Sequence, residues 1–278
     1  MKSISTLVLL MFFSIACSQS KQTKTMQNSD YKIFVLNELS REGNTDILVN
    51  PDPEVLKKYA PTGTFPMAIN AFLVQKDNEN ILFDTGLGQK LVENLAAHNI
   101  SPEQISKIFI THGHGDHIGG LLKDGKPIFP NAKLYINRVE YDYWMKEKNE
   151  PFTQVAETYK NNIQLFDIEK DTFDLMPDIQ AIAAYGHTPG HTMYLIGKEK
   201  NQTLVWGDLT HAMLVQMPHP EISMTYDVNP EQAAKTRESV LKLVAEKEFK
   251  IAGMHVPLPG MGIIIKSKTE GYEFSPAR

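Results

Sequence analysis

Three histidines and an aspartate are packed into "ITHGHGDHIGG", residues 110–120, directly after the apolar run "KIFI". Across the chain, seven of the nine histidines fall in four short segments that each follow a strand-like run. These hold His112, His114 and His117, then His187 and His191 in "GHTPGHT", His211 in "GDLTH" and His255 in "GMHVP". A chain built this way must bring several strand ends to one place, which points to an α/β architecture with its chemistry at the ends of strands. Imidazole and carboxylate donors without thiolate suit zinc, manganese, cobalt or iron. In extended backbone alternate residues point the same way, so His112 and His114 can grip one ion while Asp116 and His117 turn towards another. The bland alternative is a set of satisfied core histidines.

The remaining elements alternate between the two periodicities. "AINAFLVQ" (68–75) and "NILFDTG" (80–86) read as a hairpin across "KDNE". Leu91, Leu95 and Ala96 have helical spacing, and Ser101 with Pro102 starts a short helix. "KLYI" is a strand, Arg138 to Lys148 a helix, and "IQAIAAYG", "HTMYLI" and "QTLVWGD" are strands. Pro230 to Lys250 is a long helix with Ala234, Val240, Leu241, Val244 and Ala245 on its apolar face, and "KIAGMH" closes as a strand. One domain, 31–278, accounts for all of these.

The N-terminus reads differently. Lys2, the apolar run Leu7 to Ile15 and "SIAC" ending at Cys17 have the layout of an export signal over 1–16. "SIAC" resembles a bacterial lipobox, with Ser14 where leucine is usual, so residues 17–30 are expected to be a lipidated cysteine followed by a polar tether. The expected location is the cell envelope of a bacterium, with membrane contact through the lipid alone. A net charge of -5 offers no basic field for nucleic acid.

The succession H-x-H-x-D-H, T-P-G-H-T, G-D and a strand-end histidine resembles the metallo-β-lactamase superfamily. The resemblance implies a four-layer αββα sandwich. It also implies two divalent ions, zinc by preference: one held by His112, His114 and His191, a second by Asp116, His117 and His255, with Asp208 bridging. Asp84 in "FDTG" would orient a ligand histidine, and His187 would be a loop hydrogen-bonder rather than a ligand. The segments around Asp208, Arg237 and "HVPLPGMG" are similar to the branch of methyl parathion hydrolase-like enzymes and secreted N-acyl homoserine lactonases. That branch implies hydrolysis of a lactone or ester by a metal-bridging hydroxide, with Asp116 as proton carrier. A phosphotriesterase or arylesterase, a β-lactamase and a mono-iron dioxygenase stay open as alternatives, as does a homodimer. Asp208 stands where many true β-lactamases carry cysteine. His211 stands where many lactonases carry tyrosine, so His211 and Tyr226 are the candidates for that contact, with Trp144 and Phe152 as an apolar wall.

Overall fold

A computed structural model describes residues 25–27, 31–76, 78–198 and 201–277. The expected export segment 1–16 and Cys17 lie outside the described residues.

Two seven-stranded sheets form the centre, and in each the spatial order follows the chain. The first contains β1 (Thr25–Gln27), β2 (Lys32–Asn44), β3 (Thr64–Lys76), β4 (Glu79–Phe83), β5 (Ile105–Phe109), β6 (Lys133–Asn137) and β7 (Ile163–Phe166). The second contains β8 (Thr172–Met176), β9 (Ile179–Ala183), β10 (Thr192–Ile196), β11 (Thr203–Val205), β12 (Lys250–Ala252), β13 (Met261–Lys266) and β14 (Tyr272–Pro276). Hairpins pair antiparallel, whereas β4–β5–β6–β7 and β11–β12 are parallel, because a helix or long loop returns the chain in the same direction.

The inner faces of the sheets meet through Ile33, Val35, Phe72, Phe83, Phe109, Tyr194, Val205 and Met261. Helices α1 (Pro53–Tyr59), α3 (Gly115–Ile118) and α6 (Met213–Gln216) are short. The first sheet's outer face is covered by α2 (Leu91–Ala97), α4 (Arg138–Glu147) and α5 (Glu150–Thr158), through Leu91, Leu95, Trp144, Phe152 and Val155. The second is covered by α7 (Pro230–Lys247), through Val240, Leu241 and Val244. Because both faces of β3 are covered, Ala68 to Val74 are buried without a break rather than alternating. The αββα expectation is met. Among the described residues no helix is long and apolar enough to cross a membrane.

Three local features were not anticipated. Within the segment 17–30, expected to be a polar tether, Thr25–Gln27 pairs with the edge of β2. Edge backbone groups accept a partner strand whatever its side chains, so polarity alone does not exclude pairing. "KIAGMH" does not close the domain, since β13 and β14 follow it. Helix α5 was not legible, although Asn149 caps it and Pro151 sits in its first turn.

Arg237 on α7 is 1% exposed. Its Nε donates to the Leu209 carbonyl at 2.7 Å and its Nη1 to those of Pro220 and Ile222 at 2.8 and 2.9 Å. Its Nη2 lies 3.6 Å from the buried Asp227 carboxylate. Removing one member of such a buried pair strands the other, at about 3–5 kcal/mol. Arg237→Met should therefore lower unfolding free energy by that amount in urea denaturation. A loss below about 1 kcal/mol would mean that Asp227 is satisfied without it.

Candidate metal centre

The loops at the carboxyl ends of β4, β5, β9, β11 and β12 converge. Asp84 follows β4 in a left-handed conformation, φ 55°, a region that Asp enters more readily than most residues. This turns its carboxylate back on the next loop. Oδ1 accepts the Thr111 N–H at 2.7 Å, and Oδ2 accepts the Thr111 hydroxyl at 2.7 Å and His117 Nδ1–H at 2.6 Å. With Nδ1 held, Nε2 of His117 faces the centre. The other rings follow the same rule: Nδ1 of His255 donates to the Ala68 carbonyl at 2.8 Å, and Nδ1 of His187 to Asp227 at 2.8 Å. Outer hydrogen bonds of this kind fix tautomer and ring direction.

Three nitrogens then crowd one point. His112 Nε2 lies 2.9 Å from His114 Nδ1, and His187 Nε2 lies 3.2 and 3.0 Å from them respectively. Two nitrogens on one tetrahedral zinc, each about 2.0–2.1 Å from the ion, are about 3.3 Å apart. Asp208 Oδ2 is 3.2 Å from His187 Nε2 and 3.2 Å from His255 Nε2, while its Oδ1 is 3.1 Å from His117 Nε2. Asp116 reaches towards His255 at 3.5 Å and His117 at 3.8 Å. His117 Nε2 and Asp208 Oδ1 are both buried without a hydrogen-bond partner, a state that a coordinated ion relieves. The donors thus fit two divalent ions: His112, His114 and His187 on one side, Asp116, His117 and His255 on the other, and Asp208 between them.

Protonation divides the donors: against the cost of burial, the Asp208 carboxylate raises His187 to about 9 and also raises His117 and His255, whose second proton an ion would have to displace. Burial holds His114 down at about 3 and His211 at about 4, so both offer lone pairs at neutral pH. Burial alone would raise Asp208, but His117 and His255 hold it well below the carboxylate range.

The set differs from the expected one at one position. His191 was placed among the ligands and His187 outside them, and the geometry reverses this. Nδ1 of His191 donates to the Ala184 carbonyl at 3.1 Å, and its Nε2 accepts the Asp208 N–H at 3.0 Å. Both nitrogens are engaged by backbone, so His191 positions the Asp208 peptide rather than an ion. A second correction concerns the apolar wall. Trp144 and Phe152 are 8% and 1% exposed and pack behind Gly113 in the core. The indole N–H donates to Glu140 at 2.6 Å.

The metal residues instead open on a cavity of about 280 Å³. Arg41, Ile47 and Met67 line it together with His211 and Tyr226. His211 Nε2 faces the cage, 3.0 Å from Asp208 Oδ2, and the ring is stacked on His255 with centroids 4.5 Å apart. Tyr226 is 52% exposed and stands at the rim. Nothing local marked Arg41, Ile47 or Met67, because they reach the site only through the length of β2 and β3 and the turn between them.

The family model of the metallo-beta-lactamase superfamily matches residues 64–255. The chain belongs to that superfamily. It is 31% identical over 147 residues to YobT, an uncharacterised protein of Bacillus subtilis strain 168, covering 50% of this chain and 61% of YobT. It is 25% identical over 167 residues to an N-acyl homoserine lactonase of a Bacillus species, covering 51% and 63%. The matched regions thus span roughly three-fifths of these curated relatives. Among solved structures it is similar to AbOPH, a hydrolase of the beta-lactamase superfamily, with TM-score 0.82 and 29% identity over 92% of this chain and 97% of that one. It is also similar to AidC, a dizinc quorum-quenching lactonase solved with a product, with TM-score 0.78 and 26% identity over 92% and 97%.

His187 and His191 separate the two ligand sets experimentally. His187→Ala should lower metal affinity by about 10–100-fold or more. His191→Asn should keep two ions and lose about 1–3 kcal/mol of stability, because the Asp208 N–H is left unpaired. Metal analysis after dialysis against graded chelator, with thermal unfolding alongside, reads both; the opposite pattern would restore His191 as the ligand.

Proposed function

We propose that the chain is a dinuclear metal-dependent hydrolase that opens lactones or esters, with N-acyl homoserine lactones as the leading substrate class. The observation that carries this reading is the paired donor set around Asp208 at the floor of a compact cavity with an apolar side. The similarity to AidC over nearly the whole chain supports the substrate class. The complete second set, Asp116, His117 and His255, favours two ions over a single iron. Imidazole and carboxylate donors suit zinc.

When bound, two such ions supply Lewis acidity and a water that ionises near neutral pH. The protein's own groups do the rest. Ile47 and Met67 offer an apolar wall to an acyl chain. The Arg41 guanidinium and the Tyr226 hydroxyl stand at the mouth, where they can hold an amide or lactone carbonyl. His211 lines the same cavity, its Nε2 already engaged by Asp208. Asp116 is the cage carboxylate most open to the cavity, with its side chain 29% exposed against 3% for Asp208. Its carboxylate takes a proton and returns it to the leaving oxygen.

Export is part of the same proposal. The "SIAC" segment would place the enzyme, lipid-anchored through Cys17, in the bacterial envelope, where diffusible lactones pass. Cys17→Ser should move the protein from membrane to soluble fractions; unchanged membrane association would exclude the lipid anchor.

Substrate class is tested by a panel of acyl homoserine lactones of increasing chain length, aryl esters, phosphotriesters and β-lactams. Each methylene buried is worth about 0.8 kcal/mol, so kcat/KM should climb up to about four-fold per CH₂ until the cavity is full. On this panel Asp116→Asn, at equal metal occupancy, should lose about 10²–10⁴-fold on aliphatic lactones and less on nitrophenyl esters, whose leaving group departs without a proton. Lactones at background while a phosphotriester or β-lactam turns over would overturn the substrate class. Equal losses on lactone and nitrophenyl ester would reduce Asp116 to a ligand.

A further inference from the structure

Helix α4 buries a carboxylate that none of the groups above accounts for. Glu140 is 1% exposed and has no cationic side chain among its hydrogen-bond partners; it is surrounded by hydrogen-bond donors. Oε1 accepts the Gly113 N–H at 2.9 Å and the Trp144 indole N–H at 2.6 Å. Oε2 accepts the Gly190 N–H at 2.9 Å and the Thr188 hydroxyl at 2.7 Å. Two of these donors lie beside cage histidines, and a third beside the histidine that holds the Asp208 peptide. Gly113 separates His112 from His114, Thr188 follows His187, and Gly190 precedes His191. The glycines are what allow the helix so close: a side chain at Gly113 would overlap Trp144, and one at Gly190 would overlap the Glu140 backbone.

We propose that Glu140 is a positioning residue for one half of the metal centre. Through one carboxylate it clamps the loop carrying His112 and His114 to the loop carrying His187, and so sets the spacing of those three nitrogens. The inference rests on the metal-centre reading above. The other half has holders of its own, His117 in Asp84 and His255 in the Ala68 carbonyl, although Asp84 also reaches His112 through the Thr111 hydroxyl. Disturbing Glu140 therefore acts more strongly on one ion than on the other.

The chemistry of the amide makes Glu140→Gln a sharp probe. A glutamine keeps the volume but turns one oxygen into a donor. Facing Gly113 and Trp144, its NH₂ opposes two fixed N–H groups. Facing Thr188 and Gly190, the hydroxyl can reverse and accept, but the Gly190 N–H loses its partner. Either way one of the two clamped loops is released. Ile264→Ala, in the core on β13, supplies a destabilised control with the clamp intact.

The test titrates metal-free parent, Glu140→Gln, Thr188→Val and Ile264→Ala with Zn²⁺ against a competing chelator, and with Co²⁺ followed by its visible absorption. Glu140→Gln should bind one ion with parental affinity and the other about 10–100-fold more weakly, with an altered cobalt spectrum for the weakened site. Thr188→Val, which removes a single bond, should show a smaller loss at the same site. Ile264→Ala should unfold at lower temperature yet bind both ions as the parent does. Parental affinities and spectrum in Glu140→Gln, or equal weakening of both sites, would overturn the proposal. Should Glu140→Gln not fold, parental binding by Thr188→Val overturns it instead. A parent that takes up no divalent ion would overturn the metal-centre reading itself, a failure visible before any variant is compared.

Discussion

The carboxylate of Asp208 is surrounded by five imidazoles, those of His112, His117, His187, His211 and His255, at 3.0 to 3.5 Å, and is 3% exposed. A lone carboxylate removed from water costs several kcal/mol, so this group tolerates burial only where positive charge is supplied. Protonated histidines can do so in part, yet crowding several of them sets like charges against one another. Bound metal ions would resolve the conflict, since the imidazoles could then stay neutral while the ions neutralise the carboxylate. The loops after β5, β9 and β12, drawn from both sheets, meet the loop after β11 at this one carboxylate.

What keeps those loops in place is a ring of hydrogen bonds behind the rings. Asp84, Asp227 and the Ala68 carbonyl each engage an Nδ1 and so turn an Nε2 inwards. These partners lie 33, 40 and 187 residues from the histidines they hold. Asp227 is in turn backed by Arg237, and α7 is thereby tied to the centre. The link from packing to chemistry is direct: the helices do not merely cover the sheets but hold the groups that orient ligands.

Much of this was legible locally. The strand-to-histidine order, the hairpin of β3 and β4 and the long amphipathic α7 all follow from patterns of a few residues. Ligand-type residues were legible because histidine and aspartate between glycines have few other uses after a buried strand. The failures share a cause. Trp144 and Phe152 are large aromatics near the motif in sequence, but side-chain direction on α4 and α5 sends them under Gly113 into the core. Arg41, Ile47 and Met67 line the cavity because β2 and β3 are long enough to overhang it, a consequence of sheet length that no motif carries.

By itself, the sequence determined the inventory: which side chains could bind metal, at which strand ends, and in which superfamily order. Only the tertiary structure decided between His187 and His191, four positions apart in one loop and alike in chemistry. Asp227 draws the first ring by its Nδ1 so that Nε2 enters the cage. The Ala184 carbonyl and the Asp208 N–H take both nitrogens of the second. An imidazole has two nitrogens and one direction, and that direction is set by partners that folding alone brings near.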